Sequence, residues 1–210
     1  MRLRIDLHVH TNHSADSRVS IEDAVLRCEE TGLDGFAVTD HDTLSGLSEA
    51  MAQESRVVII PGVEISARGA HILALDISEP IPAGLSITET VDRIHGQGAV
   101  AVVAHPYSVL RTWVDSREIE GAKFNAVEVA NANQFPYGWM LKKNAALAER
   151  LGLPQTGGSD AHIPEAVGRA YTVVEADSRE VEDILNSIRK GRTEARGRGI
   201  SLYERLKKHL

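Results

Sequence analysis

Residues 3–10 read LRIDLHVH, an alternating apolar run from Leu3 to Leu7 that ends in two histidines separated only by Val9. Side chains two apart on a strand share a face, so this run presents two imidazoles together, as two nitrogen donors to one cation require. The same event recurs along the chain. Further strands are expected at 35–39, 57–60, 71–75, 99–103, 126–129 and 153–156, with a peripheral eighth at 171–174. Most are followed at once by a polar group: Asp40 and His41, then Glu64, then His105, then Asp160 and His162. Helical periodicity fills the gaps at 20–30, 44–54, 87–95, 140–151 and 178–190, which makes an α/β protein. Ser86 with Glu89 and Asp177 with Glu180 have capping-box spacing. Seven strands suit a short barrel or an open parallel sheet, and in either case parallel strands would gather these polar residues at one C-terminal edge.

The chain of 210 residues has the length of one domain, over 1–210, and its 42% hydrophobic and 25% charged residues are globular composition. It has no long uncharged run for a membrane, and MRLRIDLHVH has no secretory pattern, so a cytoplasmic protein is expected. The single cysteine, Cys28, falls in a helical pattern and reads as a small buried residue. A net charge of -7 excludes a broad basic surface for duplex nucleic acid. The basic run RKGRTEARGRG reads as a solvated tail, with Arg192, Arg196 and Arg198 as weak phosphate contacts. Neither a Walker loop nor a dinucleotide fingerprint is present, and no organic cofactor is called for.

Glu64 in PGVEIS supplies an anionic oxygen that can bridge two cations, Asp160 a second, and His105 a further nitrogen. Asp16, His41 and His162 suit a third position. Mixed nitrogen and oxygen donors favour zinc, manganese or iron, two or three divalent ions in all. Asp6, Asp40 and Asp42 either orient ligand histidines or bind loop amides. The consecutive glycines of GGSDAH permit a tight strand exit, beside Ser159. His71 reads first as an ordinary strand residue and second as lining the substrate pocket, and Arg18 and Arg68 either grip substrate oxygens or are solvated.

The motifs DLHVHT (6–11), AVTDHDTLSG (37–46), PGVEIS (61–66), VAHPY (103–107), AVEVANA (126–132) and GGSDAH (157–162) together resemble the polymerase and histidinol phosphatase (PHP) family of metal-dependent phosphoesterases. The resemblance implies a distorted seven-stranded (βα)7 barrel. It implies His8, His10 and Asp160 on one ion, Glu64 bridging to a second ion met by His105, and Asp16, His41 and His162 as a third set. The chain departs from the family at SADS, where an SDG-like element is usual, and at Asn131, where some trinuclear members have histidine.

The leading expectation is hydrolysis of a phosphate ester, with Asp160 holding the attacking water and His41 or His162 either ligating an ion or moving a proton. The substrate expected is a small phosphorylated molecule, a nucleotide or a single-stranded nucleic-acid end. Two other functions fit the same residues: amide hydrolysis by a metal-dependent amidohydrolase, and a noncatalytic metal- or phosphate-binding module. Turnover of amides against phosphate esters separates the first, and metal-dependent turnover separates the second. Oligomeric state is not legible from scattered apolar residues.

Overall fold

The computed structural model describes residues 1–108, 112–113 and 116–208. In chain order the first half comprises β1 (Arg2–Val9), α1 (Ile21–Thr31), β2 (Gly35–Val38), α2 (Leu47–Met51), β3 (Val58–Ile60), β4 (Gly62–Ala67), β5 (Ala70–Leu75), α3 (Ile87–Gly96) and β6 (Val100–Ala104). The second half comprises β7 (Tyr107–Ser108), β8 (Thr112–Trp113), α4 (Ser116–Gly121), β9 (Ala126–Asn131), α5 (Tyr137–Leu151), β10 (Gln155–Gly158), β11 (Ala170–Glu175), α6 (Val181–Arg189), β12 (Thr193–Gly197) and α7 (Leu202–Lys207).

The strands form two mixed five-stranded sheets, ordered β12-β11-β1-β2-β3 and β10-β9-β6-β5-β4, beside the small β7-β8 pair. The expected seven-stranded barrel is not what forms: among the described residues no closed barrel is present. The reason lies in the connections. A hairpin through Arg68 and Gly69 (φ 86°) is far too short for a crossover, so β4 and β5 pair antiparallel, as do β5 and β6. Antiparallel β11 and β12 extend the other sheet beyond β1. Where β1, β2 and β10 end, isolated bridges between Val9 and Ala161 and between His41 and Glu64 within β4 tie the two sheets together.

Leu3, Ile5 and Leu7 of β1, Leu73 and Leu75 of β5, and Val100 and Val102 of β6 share one buried core, closed by Ile184, Leu185 and Ile188 of α6. The outer faces carry α1 on one sheet and α3 with α5 on the other. Helix α1 shows why such elements form. Ser20 and Asp23 make a reciprocal capping box, Ile21, Ala24, Val25 and Cys28 bury one stripe, and Gly32 ends the helix at φ 68°. Cys28 is fully buried there, which pushes its thiol pKa up and leaves it inert.

Two local expectations change. Asp177 does not cap α6, which starts from Glu180 without a side-chain cap; Asp177 instead pairs with Arg192 at 3.2 Å. The basic run is not a solvated tail, because Thr193–Gly197 is the edge strand β12, and Arg196 pairs with Glu194. Arg192 and Arg196 are thus occupied by carboxylates. No helix among the described residues is long and apolar enough to cross a membrane.

Candidate metal centre

The two-histidine run reaches the interior by a change of parity. Leu7 joins the inner core whereas Val9 packs outside with α1, and the register of β1 on β2 shifts between Asp6 and Val9. Beyond that irregularity His8 and His10 face the space between the sheets, both fully buried. In β9 Ala126 points inward and Val127 and Val129 outward, so Glu128 points inward, just ahead of the register shift of β9 on β10. In β5 the inward residues are Leu73 and Leu75, which puts His71 on the same face. Because β5 runs antiparallel, its beginning lies at the mouth.

The structure brings together His8, His10, His41, Glu64, His105, Asp160 and His162, with Asp16 at the rim. Nε2 of His8 and Nε2 of His10 are 3.1 Å apart, and they lie 3.3 and 3.2 Å from Oε2 of Glu64. Oδ1 of Asp160 is 3.3 Å from His10 and 3.8 Å from His8. His105 Nε2 lies 2.9 Å from Oε1 of Glu64, and His41 Nδ1 lies 3.1 Å from its Oε2. Asp16 Oδ2 is 3.1 Å from His162 Nε2 and 3.7 Å from His41 Nε2. Ligand atoms group closely in four sets: His8, His10, Glu64; His8, His105, Asp160; His10, His41, His162; and His41, Glu64, His71.

The donor geometry fits cations. His8 Nδ1 meets Glu128 at 2.9 Å and His162 Nδ1 meets the Asp160 carbonyl at 2.9 Å, so each ring donates from Nδ1 and turns the Nε2 lone pair inward. The His8 lone pair then faces His10 Nε2 and Glu64 Oε2, and that of His162 faces Asp16 Oδ2. Buried Glu64 Oε2 and His105 Nδ1 have no hydrogen-bond partner among the described residues.

Electrostatics say the same. Burial opposes charge on Glu64 and Asp160, yet the surrounding imidazoles hold both carboxyls well below the usual range. Burial likewise opposes protonation of His8, but Glu128, Glu64 and Asp160 raise its pKa well above an ordinary imidazole. His10 is raised to about 9 against burial by Asp160 and Glu64. Two protonated rings with Nε2 atoms 3.1 Å apart repel each other, whereas divalent cations in their place would satisfy every carboxylate. Burial lowers His41 to about 4, leaving its lone pair available near neutral pH.

The surrounding residues divide by role. Asp6 takes the backbone amides of His8, Ser159 and Gly168, and burial raises its pKa to about 6. Asp42 takes the amide of Ser66. Asp40 binds the Thr11 amide and hydroxyl and the Ser14 hydroxyl, and Ser14 lies 3.4 Å from His10 Nδ1, so only Asp40 reaches a site ring, through Ser14. Gly158 serves close approach rather than an exit turn: a Cβ there would sit 2.3 Å from that of His8. The left-handed residue at the exit is Asp160 itself (φ 53°), and His105 is also left-handed (φ 29°). Asn131 donates to Glu128 at 2.9 Å and to Asp160 at 3.3 Å, and Asn133 to Asp160 at 3.2 Å. Arg18 and Arg68 are exposed, with the Arg18 amide on the His162 carbonyl at 3.0 Å.

Sequence reasoning passed over Glu128, and it placed His71 first as an ordinary strand residue and only second at the pocket. Inward alternation in β9 was the signal for Glu128; for His71 it was the hairpin that reverses β5, which puts its Nδ1 3.0 Å from Glu64. Glu128→Gln keeps the shape but weakens the hold on His8 Nδ1. Metal affinity measured by competition with a chelator should fall about 10- to 100-fold, and unchanged affinity would remove this positioning role.

A family model described as PHP-associated matches residues 140–193. The uncharacterized protein MJ1587 of Methanocaldococcus jannaschii is 33% identical over 142 residues, which are 62% of this chain and 82% of that protein. A 5'-3' exoribonuclease of Haemophilus influenzae is 32% identical over 108 residues, 49% of this chain but only 39% of that enzyme. A two-domain protein from Bacteroides vulgatus containing a predicted PHP-like metal-dependent phosphoesterase superposes with a TM-score of 0.74 at 21% identity, covering 94% of this chain and 65% of that one. With its motifs gathered at one buried histidine and carboxylate cluster, the chain belongs to the PHP family of metal-dependent phosphoesterases.

Proposed function

We propose that this protein hydrolyses phosphate esters of small phosphorylated molecules, with a nucleotide or a single-stranded nucleic-acid end as the preferred class, using two or three zinc, manganese or iron ions. The observation that carries this reading is the convergence of the His8 and His10 Nε2 atoms, 3.1 Å apart, on a buried Glu64 oxygen that has no hydrogen-bond partner among the described residues. Three neighbouring carboxylates, Glu64, Glu128 and Asp160, would repel a phosphate from the bare protein; cations reverse that sign.

In this reading His8, His10 and Asp160 would hold one ion, Glu64 and His105 would serve a second, and Asp16, His41 and His162 a third. His71, 3.0 Å from Glu64, is placed to join the second. When bound, the ions supply the positive charge that acidifies water and neutralises phosphoryl oxygens. Asp160 orients the attacking water: its Oδ2 is fixed by Asn131 and Asn133, and its Oδ1 faces His10 and His162. His162 has committed Nδ1 to a carbonyl, so its Nε2 either ligates beside Asp16 or passes a proton to the leaving group, and one atom does not do both. The similarity to an exoribonuclease supports placing nucleotides ahead of sugar phosphates.

Protein supplied with each metal in turn should release inorganic phosphate from nucleoside bisphosphates or monoesters, or mononucleotides from short RNA or DNA, as read by liquid chromatography and mass spectrometry. Intact esters with every metal, together with hydrolysis of amides, would overturn the reading.

A further inference from the structure

We infer that the lip of the cluster next to Asp160 carries a base-stacking subsite, built from Phe135 and Trp139, for the unpaired nucleobase of a nucleotide whose phosphate lies at the ion cluster. The inference rests on the phosphoesterase reading above and adds to it the group that confers preference for nucleotides.

The lip begins at Asn133, whose amide touches Asp160 Oδ2 at 3.2 Å. Phe135 is two residues further on, at most about 7 Å along the backbone from Asn133, and so belongs to the same lip. Phe135 is 69% exposed and Trp139, in the first turn of α5, is 52% exposed, although 55 apolar side chains among the described residues are buried. Large rings left in water beside a catalytic mouth need a reason other than the core.

Each ring has a cation beside it. The Arg205 guanidinium lies 5.3 Å from the Phe135 ring centre while donating twice to the Asn133 carbonyl at 3.2 Å, which anchors it to the same loop. The Lys143 ammonium lies 4.9 Å from the Trp139 ring and 4.7 Å from the ring of Tyr107, two residues after His105. The Gln134 side chain ties this loop to Tyr107 through the Tyr107 carbonyl at 3.3 Å. Two flat apolar faces, flanked by positive charge and fastened to loops that carry Asp160 partners and His105, match a planar base joined to an anionic phosphate. A base inside a duplex keeps both faces stacked on its neighbours and has none to offer. A sugar phosphate has no ring to stack.

The test compares kcat/KM for adenosine 3′,5′-bisphosphate, for a 5′-phosphorylated triadenylate and for ribose 5-phosphate, in the wild type and in Phe135→Ala, Trp139→Ala and the double variant. The preference for either adenine-bearing substrate over ribose 5-phosphate should fall roughly tenfold or more in the double variant, mainly through KM. Phe135→Tyr and Trp139→Phe should restore it. If the bisphosphate alone shows the loss, the subsite serves mononucleotides; if the triadenylate alone, it serves strand ends. Quenching of tryptophan fluorescence by adenosine 3′,5′-bisphosphate should be present in the wild type and disappear in Trp139→Phe. Equal losses on all three substrates would overturn the subsite and leave the phosphoesterase reading intact. Quenching without hydrolysis of any ester would support the subsite while overturning the activity. A wild-type dimer that sediments as a monomer once both rings are removed would show instead that the rings meet a second copy, and would overturn the proposal.

Discussion

A variant carrying both His8→Ala and His10→Ala should bind little or no divalent metal by elemental analysis and lose about a thousandfold or more of its turnover. Removing both rings takes away two nitrogen donors that converge with Glu64 and Asp160. Metal ions at such sites contribute several kcal/mol of transition-state stabilisation, and each factor of ten is about 1.4 kcal/mol. Stability should respond as well. A metal at about a hundredfold over its dissociation constant stabilises the native state by about 2.7 kcal/mol, so a chelator should lower the melting temperature of the wild type and leave that of the variant unmoved. The metal-free variant should itself be less stable than the metal-free wild type. His8 is the partner of Glu128 at 2.9 Å, both are buried, and breaking a buried pair by removing one member costs about 3–5 kcal/mol. Normal metal content together with normal turnover would remove these histidines from the site.

The histidines were legible because alternate positions along one strand share a face, and the remaining polar residues were legible because each follows an apolar run. What the runs do not encode is strand direction. Treating all strands as parallel predicts a barrel or an open sheet and leaves His71 at the start of its strand, on the edge away from the site; the hairpin at Arg68 and Gly69 reverses β5 and carries His71 to the mouth. Glu128 was hidden differently. It lies inside an apolar strand rather than after one, and only the inward alternation with Ala126 separates it from a surface glutamate. Composition misled at β12, where TEARG has the charge of a solvated segment. An edge strand needs its backbone paired on one side only, so Glu194 and Arg196 can stay partly in solvent while the backbone of Thr193–Gly197 completes the sheet. The consecutive glycines were legible as special without revealing why. A turn was expected, and the need proved to be room for His8 at Gly158 and for the Tyr171 carbonyl and Ala130 at Gly157.

Asp160→Asn isolates the chemistry at the opposite side of the cluster from the question of folding. Asp160 occupies the left-handed region at φ 53°, which asparagine tolerates as readily as aspartate, so the backbone at the strand exit should be retained. Asp160→Ala would add backbone strain and confuse the two effects. In the asparagine variant the amide has one sensible orientation. Asn131 and Asn133 both donate to Oδ2, so the amide oxygen must take that position and the NH2 group must turn toward His10 Nε2 and His162, where Oδ1 now stands at 3.3 and 3.5 Å. An acceptor that faces the cluster thus becomes a donor facing the His10 Nε2 lone pair and the N–H of His162 Nδ1. The substitution removes a negative ligand, removes the group proposed to hold the attacking water and places hydrogens where a cation would sit. Turnover should fall by about two to three orders of magnitude, with a smaller change in KM, since the loss concerns the reacting water more than capture of the substrate. The deciding measurement is the single-turnover rate of the variant after metal loading, with metal content measured on the same sample and the melting transition confirming the fold. A rate close to wild type at full occupancy would assign Asp160 to structure alone and return the choice of water-orienting group to His41 and His162.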